Sequence, residues 1–296
     1  MNCVPFGFFS SLVERMLLDD IGVLSEIDST SLSSVSETKT KETSFELVFF
    51  WSKECPRLKY HFRSSGEIHG KKYSLREMYR LSKRRRSVCS IIVLETKRDG
   101  SADSFRVPGD TLLSNLFMFS SYYLHFCSTL IVSVTENSQN QMNSLLSHLK
   151  SFKFHSIWWN SKGEHSREAE FLRNQINSSH LSYLLFEGFP RGIETSLSVF
   201  CTTSRFRGLS VRNYDFPLDF TVFERLFDRC VRGEIGKDFA VNAKFAVTMN
   251  QLEEYTQSEI EKDEWGIYTL KRMVSDSNKS IEISGKKECI TLFLFA

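Results

Sequence analysis

Phe154-His155-Ser156-Ile157-Trp158-Trp159, near the middle of the chain, places large apolar residues at its first, fourth and sixth positions. The same spacing returns on both sides of it. Cys127-x-x-Leu130-x-Val132 precedes it, and Leu181-x-x-Leu184-x-Phe186 and Phe206-x-x-Leu209-x-Val211 follow. The four segments start at 127, 154, 181 and 206, so they lie 27, 27 and 25 residues apart. The spacers between them carry apolar residues at the helical period: Met142, Leu145, Leu146 and Leu149; Ala169, Leu172 and Ile176; Ile193, Leu197, Phe200 and Cys201; Phe223, Leu226, Phe227, Cys230 and Val231. Each set follows the i, i+3, i+4, i+7 rule of a helix that buries one stripe. One short strand and one helix per unit, joined by short loops, predicts parallel strands with right-handed crossovers.

A period of about 20–29 residues with that content belongs to leucine-rich-type repeats. Cys89-x-x-Ile92-x-Leu94 fits the same frame after a longer interval. The expected fold is therefore α/β: a leucine-rich-repeat-like, right-handed solenoid of about five parallel strand-helix units over residues 88–232. Upstream, residues 1–20 predict one helix with Phe6, Phe9, Val13, Met16 and Leu17 on one face, and the Ser, Thr, Glu and Lys of residues 25–44 read as a polar linker. Residues 45–87 predict a small antiparallel meander, from the run Phe45 to Trp51 and the alternating Leu58 to Phe62, and then a short helix opened by the capping box Ser74-Leu75-Arg76-Glu77. Residues 233–296 predict a strand near Phe239 to Ala246, a helix with Leu252 and Tyr255, and a terminal β-hairpin. Both flanks are placed to cap the exposed ends of an array.

Composition narrows the function classes. The 296 residues are 41% hydrophobic and 25% charged, a globular balance, and the 26 Phe sit largely at periodic positions as core filling. A net charge of +2 does not by itself demand a polyanionic partner. Seven cysteines form no C-x-x-C pair, and several occupy apolar frame positions, so they read as reduced thiols of a cytoplasmic or nuclear protein. Thr111 to Thr135 lacks Asp, Glu, Lys and Arg, but the repeat frame assigns it to a helix near 112–126 and a buried strand, so no membrane span is expected.

No P-loop, dinucleotide fingerprint, zinc-protease or nucleophile-elbow motif occurs. The seven His stand at no zinc-ligand spacing, and the adjacent carboxylates Asp19-Asp20 and Glu253-Glu254 point to different helix faces. No catalytic residue, metal or cofactor is expected. Lys83-Arg84-Arg85-Arg86 is the densest basic cluster and carries the alternative reading, a nuclear or nucleic-acid-associated protein, without any recognition module beside it.

Strand geometry supplies a better site. In the repeat frame the fifth position faces away from the helices, and equivalent positions stack ~4.8 Å apart across strands. That row reads Val93, Ile131, Trp158, Leu185 and Ser210; the third position adds Tyr183, and the seventh adds Asn160, Glu187 and Arg212. An apolar ladder with a Trp and a Tyr at its centre and charges at one edge has the make-up of a protein interface, with Ile131, Trp158, Tyr183, Leu185 and Arg212 as its binding residues.

Val4-Pro5-Phe6 with Phe9, Phe171 to Ile176, Leu181 to Gly188 followed by Pro190, and Phe220 to Phe227 followed by Gly233-Glu234 together carry a likeness over nearly the whole chain. In these the sequence resembles a lineage-expanded set of nematode proteins that are F-box-like at the N-terminus and bear divergent leucine-rich-type repeats. The resemblance implies an adaptor that binds the Skp1-type subunit of a ubiquitin ligase through Val4, Pro5, Phe6, Phe9 and Val13, and presents a protein substrate on the repeats.

Overall fold

The computed structural model describes residues 44–53, 56–65, 71–81, 87–96, 104–134, 139–161, 166–187, 192–211, 217–232, 234, 240–243, 245–258, 261–262, 264, 268–273, 280–286 and 289–295. The chain is mixed α/β and divides into two compact units, 1–129 and 130–296. The expected helix over residues 1–20, residues 25–43 of the polar linker and the Lys83 to Arg86 cluster lie outside the described residues.

The first unit holds β1 (Ser44–Ser52), β2 (Lys59–Ser64), β3 (Lys72–Tyr73), α1 (Leu75–Arg80), β4 (Ser87–Thr96), β5 (Phe105–Arg106) and α2 (Asp110–Tyr123). β1, β2 and β3 form an antiparallel meander, β5 pairs with β2, and β4 runs parallel to β1. Val48 to Trp51 are all buried, because β1 is covered on both faces. On one face Phe49 stacks on Phe117 of α2 at 5.2 Å, and Phe62 meets Phe119 edge-on at 5.5 Å. α1 starts at the capping box read from the sequence. Ser74 Oγ accepts from the Glu77 N–H, and the Glu77 carboxylate accepts from the Ser74 N–H at 2.7 Å.

β4 departs from the repeat frame. Val93, expected on an open face, is fully buried, whereas Cys89 and Leu94 are only half-buried. Pairing with β1 steps from Phe45–Val88 to Glu46–Ser90, so Cys89 is an extra residue, a bulge whose thiol reaches the Phe45 carbonyl at 3.4 Å. One inserted residue exchanges the two faces of everything after it. β6 (Leu124–Val134) crosses into the second unit and begins two residues before the expected end of the preceding helix.

The second unit then runs α3 (Gln139–Leu149), β7 (Ser156–Ser161), α4 (Ser166–Ile176), β8 (Tyr183–Phe186), α5 (Glu194–Cys201), β9 (Gly208–Val211), α6 (Phe220–Val231), β10 (Ala240–Asn242), α7 (Met249–Thr256), β11 (Glu261–Lys262), β12 (Tyr268–Met273), β13 (Ser280–Lys286) and β14 (Cys289–Phe295). β7, β8, β9 and β10 are successive parallel neighbours, after which β14, β13, β12 and β11 continue the sheet antiparallel. Strand and helix alternate here at the interval the sequence shows. The helical stripes are in the core, except Val231 of α6, which is half-buried: Met142, Leu145, Leu146 and Leu149 come from α3, Ala169, Leu172 and Ile176 from α4, Leu197, Phe200 and Cys201 from α5, and Phe223, Leu226, Phe227 and Cys230 from α6. Facing them are Phe154, Ile157, Trp159, Leu181, Leu184, Phe186, Phe206 and Leu209, of which Phe154, Trp159, Phe186 and Phe206 have no exposed surface, while Val211 at the sixth position of β9 is half-buried. Large rings bury ~150–250 Å² apiece and so dominate such a core.

Polar side chains tie helices to strand-entry loops of neighbouring strand-helix units. Gln175 of α4 is buried; its amide donates to the Phe152 carbonyl at 2.8 Å and its oxygen accepts from the Phe154 N–H at 3.3 Å. Arg229 of α6 donates to the carbonyls of Thr203 and Ser204 at 2.8 and 3.3 Å, and Arg205 donates to Ile176 at 3.2 Å. These groups satisfy carbonyls left open where helices end and strands begin.

Gln175→Ala leaves a buried carbonyl and a buried N–H without that partner, and unfolding in urea is expected to show a loss of about 2–4 kcal/mol. In the first unit, burial holds His61 down at about 4, with Lys72 and Arg63 adding to the effect, while its ring packs on Phe50. The folded chain keeps His61 neutral where the unfolded chain takes up a proton. Stability is therefore whole above pH ~6.5 and falls as pH drops toward 4, by about 2 kcal/mol from this group between pH 7.5 and 4.5. Urea titrations of the wild type and His61→Phe at the two pH values check it: the variant is expected to lose that much of the acid dependence.

Candidate functional site

Parallel register brings the sequence-predicted row together. Trp158 of β7 pairs with Leu185 of β8, which pairs with Ser210 of β9 and, one strand further, Asn242 of β10 follows Ser210. The third positions align likewise as Ser156, Tyr183 and Gly208. β6 is the other neighbour of β7 and carries Ile131.

Alternation separates the two faces. Ile157, Leu184 and Leu209, at the fourth positions, are each 2% exposed, whereas Trp158 between two buried neighbours is 43% exposed. Ile131, Tyr183, Leu185 and Ser210 are half-buried on the Trp158 side. An indole with that much surface in water, in register with Leu185 and next to the strand that carries Ile131, gives this face an outward apolar stripe. Single exposed apolar residues are ordinary, but a row of them on one sheet face is a docking feature.

The stripe has different borders at its two ends. Where the strands leave the sheet, Asn160 Nδ2 donates to the Glu187 carboxylate at 3.0 Å, so the seventh positions of β7 and β8 meet as the frame predicts. Arg212, the third member of that row, lies outside the described residues, as do Val4, Pro5, Phe6, Phe9 and Val13.

Where the strands enter, the second frame positions align as His155, Ser182 and Arg207. The N–H groups of Ser182 and Tyr183 both donate to the His155 carbonyl, at 2.8 and 3.2 Å, and the N–H groups of Arg207 and Gly208 both donate to that of Ser182, at 2.9 and 3.2 Å. The His155 ring lies edge-on to Tyr183 at 5.5 Å. Burial lowers its pKa, a hydrogen bond to the His180 backbone opposes this, and the positive charges of Arg207 and His180 lower it further. This second-position row lies outside the third, fifth and seventh positions expected from the sequence to form the site. Its signal was present in the same frame, one residue after each leading apolar position.

Burial pushes the Cys230 thiol up to about 12 and raises Cys201 as well, which keeps both protonated and unreactive. Among the described residues no group of three or more His, Cys, Asp or Glu stands where it would hold a metal ion. Among them, too, no helix is long and apolar enough to cross a membrane. No protein-family model, no curated protein and no solved structure matches this chain.

Proposed function

We propose that the chain is a non-enzymatic protein-protein interaction module whose second unit binds a polypeptide on the sheet face bearing Ile131, Trp158, Tyr183 and Leu185. The observation that carries this reading is the exposed Trp158 in register with Leu185, on the face opposite a close-packed core. A Trp anchored in a rigid strand loses little conformational freedom when covered, which is why such residues concentrate binding energy. The alternation of parallel strands and helices at 25- and 27-residue intervals supports a leucine-rich-like, right-handed repeat array as the scaffold. The likeness at Val4, Pro5, Phe6, Phe9 and Val13 supports the narrower role of an F-box-like substrate adaptor, with a Skp1-type partner at the N-terminus.

Affinity capture of the tagged chain from its own cells tests both parts. Trp158→Ala combined with Leu185→Glu is expected to abolish capture of the substrate-side partner with an unchanged melting temperature; undiminished capture rejects the face. Removal of residues 1–20 is expected to lose a Skp1-type subunit and cullin while keeping the face-bound partner. If neither subunit is recovered with the full chain, the adaptor role is rejected and the interaction module stands alone.

A further inference from the structure

The three loops that lead into β7, β8 and β9 read Lys150-Ser-Phe-Lys-Phe-His155, Asn177-Ser-Ser-His-Leu-Ser182 and Thr202-Thr-Ser-Arg-Phe-Arg207. They contain no Asp or Glu. Because the three strands are parallel and adjacent, all three loops lie along one edge of the sheet. Lys150, Lys153, His180 and Arg207 are exposed there, and His155 and Arg205 are half-buried.

Part of this charge is structural. The carbonyl ends of α3, α4 and α5 point to the same edge, and a cation there offsets the negative end of a helix. Arg205 on the Ile176 carbonyl, and Arg229 on those of Thr203 and Ser204, serve in that way. Lys153, His155, His180 and Arg207 have no carboxylate partner among the described residues. They lie one or three positions before the third-position residues Ser156, Tyr183 and Gly208, and the His155–Tyr183 ring contact joins this edge to the apolar stripe.

We propose that the partner of the Trp158 face is an acidic polypeptide segment, with an apolar anchor over Trp158 and Leu185 and its Asp or Glu residues over Lys153, His155, His180 and Arg207. This rests on the sheet-face reading above and specifies the partner's charge and direction. Strand spacing of ~4.8 Å puts successive cations within reach of carboxylates on an extended chain rising ~3.3 Å per residue. The make-up of the stripe selects a polypeptide over a nucleic acid: Trp158 is paired in register with Leu185 and then Ser210, not with a row of exposed rings on which successive bases would stack. Cations at the strand-entry border fix orientation, since reversing the segment carries its carboxylates away from them.

Panning the full-length protein with a phage-displayed library of random 12-residue peptides tests this, with wild type, Lys153→Glu/Arg207→Glu and Trp158→Ala/Leu185→Glu immobilised in parallel. Both pairs are exposed or half-exposed, and melting temperatures of the three proteins verify that each is folded. Wild type is expected to enrich peptides with an apolar residue beside clustered Asp or Glu. Synthetic copies are expected to bind the charge-reversed variant about a hundredfold more weakly in low salt, at about tenfold per reversed charge, with the gap shrinking as salt screens it. Enriched peptides without acidic bias, or equal binding to the charge-reversed variant, overturn this inference and leave the sheet-face reading intact. Enrichment no different from that on Trp158→Ala/Leu185→Glu overturns both. A 12-nucleotide oligothymidylate that binds wild type more tightly than the selected peptides do overturns the choice of polypeptide.

Discussion

The parallel register between residues separated by 25 or 27 positions is the constraint on which the second unit depends. His155, Ser182 and Arg207 are linked by backbone hydrogen bonds in one row, and every residue downstream inherits its face from that alignment. A slip of one residue carries Trp159, Phe186 and Leu209 out of the core and Trp158 into it. The indole of Trp159 and the ring of Phe186 are worth about 2–3 kcal/mol each in burial alone, so a slipped strand is strongly disfavoured. Register and outward stripe are thus one property: the core holds Trp159 in, and that holds Trp158 out.

Hydrogen-bonded polar groups reinforce the register at the ends of the helices. Gln175 spans from α4 to the loop before β7, and Arg229 from α6 to the loop before β9, each over about one repeat of sequence. A buried amide or guanidinium is tolerable only when its partners are in place, so these ties penalise any loop of the wrong length. Apolar packing alone is indifferent to such errors, because one Phe replaces another with modest loss. The strand-entry edge accordingly uses one kind of residue in two ways. Arg229 is 7% exposed and donates to backbone carbonyls beside the Glu234 carboxylate, while Arg207 is exposed on the same edge.

Much of the second unit was legible because its strands have one wet and one dry face. Alternation then carries information, and the frame gave the helical stripes of α3 to α6, the pairing of Trp158 with Leu185, and the meeting of Asn160 with Glu187. The first unit was less legible for the same reason. β1 and β4 are buried on both faces, so their runs of Val, Ile and Phe hold no phase, and Val93 was given the wrong side. Local signals survived there, since the Ser74 to Glu77 box depends only on four consecutive residues. The bulge at Cys89 and the parallel pairing of β1 with β4 depend on contacts more than forty residues apart in sequence, which no window of periodicity contains.

The second-position cations were hidden by a different limit. A hydropathy frame ranks positions by what the core demands, and the core makes no demand on His155 or Arg207. Their charge is additive across strand-helix units: one exposed Arg before a strand is an ordinary solvated residue, but parallel topology sums three loops along one edge. Among the described residues those cations stand at one border of the stripe, which gives the face a direction. Strand pairing sets the spacing of the apolar stripe, and on the proposed reading the side chains that differ from strand to strand, His155, Ser182 and Arg207, are what would make one partner distinguishable from another on it.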